Sequence, residues 1–162
     1  MTIEENVRSI LDQTGVLYEV VNIDSKFADT AAFCKEYDYP VDHSGNTIII
    51  ASKREPIQFC TCVVKASTHL DVNKTVRKLM GVRRLSFATP EQTMELTGMM
   101  IGGVTPFGLP FDLPIYIDKE LMELEYVILG SGSRSSKIKV SPRVLERLNN
   151  ARIIQGLSLQ TR

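Results

Sequence analysis

A glycine- and proline-rich loop at residues 99–113 carries the pattern most typical of a chemical site. Its centre reads Gly102-Gly103-Val104-Thr105-Pro106. Glycines let the backbone come close to a ligand, and successive backbone N–H groups can surround a negative charge. A tight surface crossing would also use such residues, and the loop alone does not exclude it. The segment therefore indicates a candidate site for an anion or a developing oxyanion.

The titratable side chains form no recognisable Ser-His-Asp set, and the three cysteines give an odd count with no second pair to complete a tetrahedral metal site. Cys60 and Cys62 alternate within an apolar run, which is typical of small buried side chains. His43 and His69 are far apart in the sequence and have no ligand spacing. The sequence predicts neither a metal nor another cofactor, so any hydrolysis would rely on backbone donors and a few polar side chains.

Basic residues are concentrated in the segment 74–84, although the chain has no net charge. Zero net charge argues against non-specific coating of nucleic acid. A local patch is nevertheless compatible with phosphate binding, and the other interpretation is a solvated helix face. The residues of this basic patch are Lys74, Arg77, Lys78, Arg83 and Arg84.

Helix and strand signals alternate along the chain. Capping boxes at Thr2–Glu5 and Thr89–Gln92 each predict a helix start. Apolar runs at 47–52 and 57–64 predict two strands joined by a four-residue hairpin loop. Short strands interleaved with short helices predict a mixed α+β fold, with residues 1–162 forming a single domain.

Three motifs occur along the chain in an order that resembles a known family. The stretch LDVNKTVRKLMGVRRLSFATPEQ comes first, the loop GGVTPFGLP follows, and the turn GSGSRSSKI precedes the last strand and a Ser-Pro helix start. This combination resembles the YbaK/prolyl-tRNA-synthetase-associated family of aminoacyl-tRNA editing hydrolases. The resemblance implies an α+β fold with a mixed, barrel-like β-sheet and flanking short helices. It also implies hydrolysis of the ester bond of a mischarged aminoacyl-tRNA, usually a tRNA for proline.

The resemblance also implies roles for individual residues. The family's G-x-x-x-P loop contributes backbone amides near the scissile carbonyl, so Gly102 and Gly103 are predicted to be catalytic. Asp118 matches a family aspartate, although the cap of a following helix is the favoured interpretation. For the two serines of the later turn, a purely structural role remains the alternative. The residues predicted to bind the substrate are Val104, Thr105, Pro106, Ser131, Gly132 and Ser133.

The chain departs from the family at the lysine that normally begins the strand after the second helix. Asn46 stands there, followed by Thr47 and an apolar run. Asn46 is predicted to be a catalytic residue, since an asparagine can hydrogen-bond a ribose or a carbonyl, but it brings no positive charge. A four-residue hairpin loop at 53–56 would place Asn46 opposite Val63, with Lys65 diagonally across on the same face. Lys65 is therefore predicted to replace the missing cation, and a solvated charge at the strand end is the alternative.

Two functions of different class are compatible with these residues. The first is an editing hydrolase that acts in trans on the acceptor end of an aminoacyl-tRNA, docked by the basic patch, with a synthetase as a candidate partner. The second is a non-catalytic module that binds tRNA ends or an amino-acid-like small ligand. No apolar run approaches the roughly 18–20 residues of a membrane span. The N-terminal segment lacks the regions of a signal peptide, so a cytoplasmic location is expected.

Overall fold

The computed structural model describes residues 1–160. The helices are α1 (Ile3–Thr14), α2 (Thr30–Tyr37), α3 (Arg77–Met80) and α4 (Pro90–Thr97). The strands are β1 (Tyr18–Asn22), β2 (Gly45–Ser52), β3 (Phe59–Lys65), β4 (Thr68–Leu70), β5 (Leu85–Phe87), β6 (Ile115–Asp118), β7 (Val127–Gly130), β8 (Ser136–Val140), β9 (Ala151–Ile154) and β10 (Ser158–Gln160). Short 3-10 turns cover Ser25–Phe27, Val41–His43, Lys119–Glu123 and Pro142–Arg147, and a π-helical turn, Val72–Val76, leads into α3. None of the helices in this range is long and apolar enough to cross a membrane.

Local signals determine where the two capped helices begin and end. Both predicted capping boxes, at Thr2–Glu5 and at Thr89–Gln92, are confirmed with reciprocal hydrogen bonds. Each helix ends at a glycine with positive φ, Gly15 for α1 and Gly98 for α4, a conformation in which a Cβ is unfavourable. The glycine-rich loop therefore starts at a defined helix end.

The largest sheet has the strand order β5-β2-β3-β6-β9. β2 pairs antiparallel with β3 and β5, whereas β6 pairs parallel with β3 and β9. One face buries Ile50, Cys62 and Val64 in an apolar cluster, and the opposite face buries Val63 and Ile117 in another. Because both faces are covered, the central strands are apolar on both sides, which explains their unbroken hydrophobic runs.

A second, antiparallel sheet has the order β1-β8-β7, and β10 pairs with β4 in a two-stranded ribbon. The three-stranded sheet shares a core with α1, in which Val7 and Leu11 pack in the same cluster as Leu129 and Ile138. The predicted mixed α+β class is confirmed at this level. Within residues 1–160 the strands form three sheets and no closed barrel, so the barrel-like arrangement is not confirmed.

The register of the β2–β3 hairpin differs by one residue from the sequence prediction. Ala51 pairs with Phe59, and Asn46 lies opposite Val64 rather than Val63. The hairpin closes at Ser52 because its N–H donates to the Gln58 carbonyl at 2.8 Å and its Oγ accepts from the Gln58 N–H at 2.8 Å. The loop therefore has five residues, 53–57, instead of four. A slip of one residue moves every side chain of a strand to the other face of the sheet.

Candidate functional site

A cavity of about 390 Å³ opens where the two larger sheets approach each other. The first turn of α2, the first half of β2, the end of β5 and the glycine-rich loop all border it. The cavity, called the ester cavity below, includes Asp29, Thr30, Asn46, Thr47, Phe87, Ile101, Gly102, Val104, Gly130 and Lys137 among its lining residues.

Lys137, on β8, is the one lysine among the described residues that line the ester cavity. The residue is only 6% exposed, although lysines are almost never buried without partners. Its Nζ donates to the carbonyl oxygens of Ala28 at 2.5 Å and Gly102 at 2.9 Å. It also lies 5.8 Å from the centre of the Phe33 ring. Because an ammonium group has three N–H donors, one donor remains for a ligand.

The surroundings of Lys137 change its pKa. Burial lowers the pKa of the Lys137 ammonium from its usual 10.5 to about 8. The Asp29 carboxylate and the Cys34 thiol oppose this change in pKa, whereas the Arg134 guanidinium adds to it. With a pKa of about 8, most molecules carry a positive charge on Lys137 at neutral pH. The cavity thus contains a cation whose charge is sensitive to mildly basic pH.

Arg134 joins the glycine-rich loop to the segment before α2. Its Nη1 donates to the Ile101 carbonyl at 2.7 Å and to Asp29 Oδ1 at 3.1 Å. Its Nη2 donates to the Ser25 carbonyl at 3.0 Å. Asp29 and Ile101 line the ester cavity and belong to two separate parts of the chain, so Arg134 links two sides of the cavity.

The glycine-rich loop packs backbone to backbone against the turn between β7 and β8. The Gly132 N–H donates to the Gly103 carbonyl at 2.8 Å. A Cβ on Gly103 would lie 2.7 Å from the Ser133 carbonyl, and a Cβ on Gly130 would lie 2.2 Å from the Val104 oxygen. Such distances leave no room for any side chain. The glycines of both motifs are therefore needed for this close approach.

Asn46 is held in the cavity by the first residue of α2. Its Oδ1 accepts a hydrogen bond from Thr30 Oγ1 at 2.7 Å, which leaves the amide NH₂ group as a donor. The neighbouring Thr47 has a buried Oγ1 without a hydrogen-bond partner among residues 1–160. A buried polar atom without a partner is unfavourable unless a ligand or water satisfies it. The start of β2 therefore presents polar groups to the cavity.

The residues predicted as site residues in the glycine-rich loop do not all lie at the ester cavity. Gly102 and Val104 line the ester cavity, and their N–H groups have no hydrogen-bond acceptor among the described residues. The Gly103 N–H is not available as an oxyanion donor because it donates to the Met100 carbonyl at 2.9 Å. Thr105 is fully buried, and Pro106 lines a different cavity on the other side of the loop. These last three residues therefore do not line the ester cavity, and their predicted roles in catalysis and substrate binding stay predictions.

The serines of the later turn stabilise the turn itself. Ser131 Oγ donates to the Ser136 carbonyl at 2.9 Å, and Ser133 Oγ lies 3.0 Å from Ser135 Oγ. Gly132, with φ 95°, contacts the loop through its backbone. Ser131, Gly132 and Ser133 lie outside the ester cavity, whose only lining residue from this turn is Gly130. The alternative interpretation, a structural turn, describes them better than ligand contact.

Lys65 does not supply the cation of this site. The observed register pairs it with Gly45, so it lies on the face of β2–β3 opposite to Asn46, and it does not line the ester cavity. The favoured interpretation of Asp118 is confirmed, since Asp118 caps the turn Lys119–Glu123 by accepting from the Glu120 N–H. Its other carboxylate oxygen accepts from Ser158, so both oxygens already have partners.

The basic patch separates into two groups. Arg77, Arg83 and Arg84 line a second cavity, whereas Lys74 and Lys78 are exposed and do not line it. A role for Lys74 and Lys78 in binding tRNA stays a prediction. In residues 1–160, no three His, Cys, Asp or Glu side chains lie together in a group that could hold a metal ion.

The position of Lys137 in the cavity is not evident from the sequence, because Lys137 follows the GSGSRSS turn in a strand with an ordinary alternating pattern. One signal was present. The β7–β8 hairpin pairs Lys137 directly with Gly130, so a lysine just after this turn must lie on the same face as the glycine that approaches the loop. A hairpin register in which Lys137 pairs with Gly130 would therefore have predicted Lys137 as a site residue.

The buried state of Lys137 predicts a pH-dependent stability. Between pH 8 and 10.5 the unfolded chain keeps the proton that the folded chain has lost, so unfolding becomes less favourable as pH rises. We expect the free energy of unfolding of the wild type, minus that of Lys137→Met, to increase by about 3 kcal/mol between pH 7 and 11. Denaturant titrations at several pH values measure this difference, and groups common to both proteins cancel. A difference that stays flat would contradict the burial of the ammonium.

Comparison with known proteins gives consistent matches. The sequence model described as aminoacyl-tRNA editing domain matches residues 25–148. The uncharacterised protein YwhH of Bacillus subtilis (strain 168) is 35% identical over 81 residues, covering 50% of this chain and 51% of YwhH. EbsC of Enterococcus faecalis (strain ATCC 700802 / V583), a proposed Cys-tRNA(Pro)/Cys-tRNA(Cys) deacylase by name, is 22% identical over 108 residues, covering 67% of this chain and 63% of EbsC. The aligned regions thus span less than two thirds of either relative.

Two solved structures share the fold. One, described as a proposed trans-editing enzyme for prolyl-tRNA synthetase, superimposes with a TM-score of 0.79 at 24% identity, covering 96% of both chains. The other, a hypothetical protein APE2540, gives a TM-score of 0.83 at 21% identity and covers 95% of this chain and 99% of its own. At these identities the structural matches show the fold alone. The matched family model spans most of the chain, including the glycine-rich loop at 99–113 and the turn that follows Gly130. The chain therefore belongs to the aminoacyl-tRNA editing domain family.

Proposed function

We propose that this chain hydrolyses the ester bond of a mischarged aminoacyl-tRNA, with the aminoacyl ester bound in the ester cavity. The observation that carries the proposal is that Lys137, Asn46 and the loop backbone of Gly102 and Val104 line one cavity. A volume of about 390 Å³ lies within the usual range of small-molecule sites. Membership of the editing family indicates the class of substrate.

The chemistry needs stabilisation of charge more than a strong nucleophile. Water attacks the ester carbonyl carbon, and negative charge develops on the carbonyl oxygen. The Lys137 ammonium and the N–H groups of Gly102 and Val104 are the donors available to this oxygen. The bond between the carbonyl carbon and the ribose oxygen then breaks, the ribose oxygen takes up a proton from the attacking water, and the amino acid leaves.

The remaining polar groups of the cavity would orient the substrate. Asn46 can donate its amide NH₂ to a ribose hydroxyl or to the ester carbonyl. Asp29 brings a carboxylate to the same cavity, which suits the α-ammonium group of an aminoacyl ester. This assignment replaces Lys65 by Lys137 as the cation and Gly103 by Val104 as the second backbone donor.

The names of relatives favour tRNA(Pro) as the first substrate to examine. EbsC is a proposed Cys-tRNA(Pro)/Cys-tRNA(Cys) deacylase, and one structural neighbour is a proposed trans-editing enzyme for prolyl-tRNA synthetase. We extend to this chain a substrate of the tRNA(Pro) type, action in trans beside a synthetase, and a cytoplasmic location. A single domain covering residues 1–162 is part of the same proposal.

The decisive experiment is a deacylation assay over a panel of tRNAs charged with small amino acids, with tRNA(Pro) species included. We expect enzyme-dependent release of at least one amino acid, with the correctly charged Pro-tRNA(Pro) hydrolysed much more slowly. Tight binding of tRNA ends without release of any amino acid would contradict the enzymatic function and favour a non-catalytic binding module.

Asn46 and Thr30 should act as one unit in this assay. Asn46→Ala should lower kcat/KM about tenfold, in the range expected when one hydrogen bond is lost. Thr30→Val should lower kcat/KM by less, because Thr30 acts by holding the Asn46 amide at 2.7 Å. The double variant should then be no slower than Asn46→Ala alone. Effects that multiply in the double variant would show that the two residues act independently.

A further inference from the structure

A second, larger cavity of about 750 Å³ lies beside the hairpin loop that joins β2 and β3. It is called the basic cleft below. Its cations come from two parts of the chain, and the hairpin supplies two that the basic patch did not include. The cations that line the cleft are Lys53, Arg54, Arg77, Arg83 and Arg84, and Glu55 is its single acidic residue.

The charges of the basic cleft are not neutralised by the protein. All five cationic residues are exposed, and none of them makes an ion pair within residues 1–160. The backbone nevertheless holds the two groups together, because the Lys53 N–H donates to the Arg84 carbonyl at 3.0 Å. Five like charges around one concave surface produce a strong local positive potential in a chain of zero net charge. Such a surface suits a ligand with several negative charges.

Strand β5 connects the basic cleft to the ester cavity. Arg84 lines the cleft, and Phe87, three residues later, lines the ester cavity. Three residues of extended strand span about 10 Å, a distance that a few nucleotides of single-stranded RNA can cover. The two cavities therefore lie along one continuous edge of the large sheet, of which β5 is the outer strand.

Phe87 is unusually placed for a large apolar side chain. It is 59% exposed on this edge strand, and Ile101, across the ester cavity, is 50% exposed. Exposed aromatic rings beside positively charged grooves are the usual means of holding unpaired bases, which stack on them. A phenylalanine at the mouth of the ester cavity has the right position to stack the base of the nucleotide whose ribose carries the ester.

We infer that the single-stranded 3′ end of the tRNA runs along β5, with its terminal base stacked on Phe87 and the preceding phosphates bound in the basic cleft. This inference rests on the proposed function and specifies which surface holds the RNA. The class of ligand is a single-stranded RNA end, recognised by its phosphates and its last base rather than by its sequence.

A binding experiment with a fluorescent single-stranded RNA ending in CCA tests the path directly. The double variant Arg54→Glu and Arg84→Glu should bind this RNA at least tenfold more weakly than the wild type. The salt dependence of its log Kd should be shallower by about one to two units. The matched control is Lys35→Glu with Lys119→Glu, which makes the same charge change at exposed lysines that line neither cavity. An equal loss in the control would show a general charge effect and overturn the inference.

The terminal base is tested with Phe87→Ala and Phe87→Trp. The alanine variant should bind the RNA about tenfold more weakly, as expected for the loss of one stacking contact, whereas the tryptophan variant should retain the affinity. Removing the terminal adenosine from the RNA should abolish the difference between wild type and Phe87→Ala. If Phe87→Ala binds as tightly as the wild type, the base does not stack there.

Deacylation assays separate this inference from the proposed function. Charge reversal in the cleft should raise KM for the aminoacyl-tRNA and leave kcat unchanged, and it should not affect hydrolysis of an aminoacyl-adenosine, which has no phosphates. A wild type that binds the RNA as described but hydrolyses neither substrate would refute the proposed function and support the path. Hydrolysis of both substrates with no effect of the cleft variant would refute the path alone.

Discussion

Replacing Lys137 by alanine should lower the deacylation rate constant by about 100-fold or more. The ammonium is the one lysine cation of the ester cavity, and it lies 2.9 Å from the Gly102 carbonyl, in the loop whose amides are proposed to stabilise the developing oxyanion. Loss of one preorganised donor to an oxyanion typically lowers a rate by about 10²–10³-fold. Single-turnover deacylation measures the chemical step without interference from product release.

Two further variants make the Lys137 prediction specific. Lys139→Ala removes the next lysine on the same face of β8, which lies 4.6 Å from the Tyr126 ring centre and does not line the cavity, so its activity should equal that of the wild type. Introducing Asn46→Lys into Lys137→Ala should restore part of the lost activity, because it returns a cation to the same cavity from β2. If Lys137→Ala stays within threefold of the wild-type rate, the cation has no catalytic role.

The pKa of Lys137 gives the sign of the pH dependence. If the charged form assists hydrolysis, the enzymatic rate should fall as pH rises through about 8, the pKa of the buried ammonium. The uncatalysed reaction speeds up with hydroxide, so it must be measured in parallel and subtracted. An enzymatic rate that instead rises through pH 8 would indicate that the neutral amine acts as a base, and would contradict oxyanion stabilisation by the ammonium.

The helices and most strands could be predicted from the sequence because their signals are local. A capping box such as Thr2–Glu5 requires only residues three apart, and the glycine after the helix requires only its own backbone conformation. No such local signal determined the register between β2 and β3. It depended on whether Ser52 pairs with Ile57 or with Gln58, and the hydrogen bonds between Ser52 and Gln58 decided it. Because the loop has one residue more than predicted, Lys65 lies on the face of the hairpin opposite to Asn46.

Apart from Asn46, which lines the ester cavity as expected, the candidate site was predictable only in its backbone parts. Glycine spacing marked both the loop at Gly102–Pro106 and the turn after Gly130, because close approach of two backbones excludes side chains. The side-chain parts depend on which strands pair across the molecule. Lys137 reaches the cavity through the pairing of β7 with β8 and through carbonyls more than thirty residues away along the chain, at Ala28 and Gly102. No local pattern distinguishes it from a solvated strand lysine.

Close packing of the loop against Gly130 leads to the last prediction. Gly130→Ala should lower the deacylation rate by about 100-fold, because the new Cβ would lie 2.2 Å from the Val104 oxygen and 3.1 Å from the Gly103 oxygen. These are backbone atoms, so the whole loop must move away from β7 by about 1 Å or more. Misplacement of catalytic groups by about 1 Å can reduce a rate by roughly 10²-fold. Gly130 does not have positive φ, so steric contact rather than backbone strain causes the loss.

The matched control for Gly130→Ala is Gly156→Ala. Gly156 has φ 77°, and no atom lies within 4 Å of the position that a Cβ would take there, so alanine should reduce the stability modestly and leave the deacylation rate unchanged. Thermal unfolding of both variants shows how much of the loss comes from instability. We expect Gly130→Ala to remain folded at the assay temperature while its catalytic rate falls, since the loop can shift without unfolding the sheets. A Gly130→Ala variant with wild-type activity would mean that the loop backbone does not position the ester.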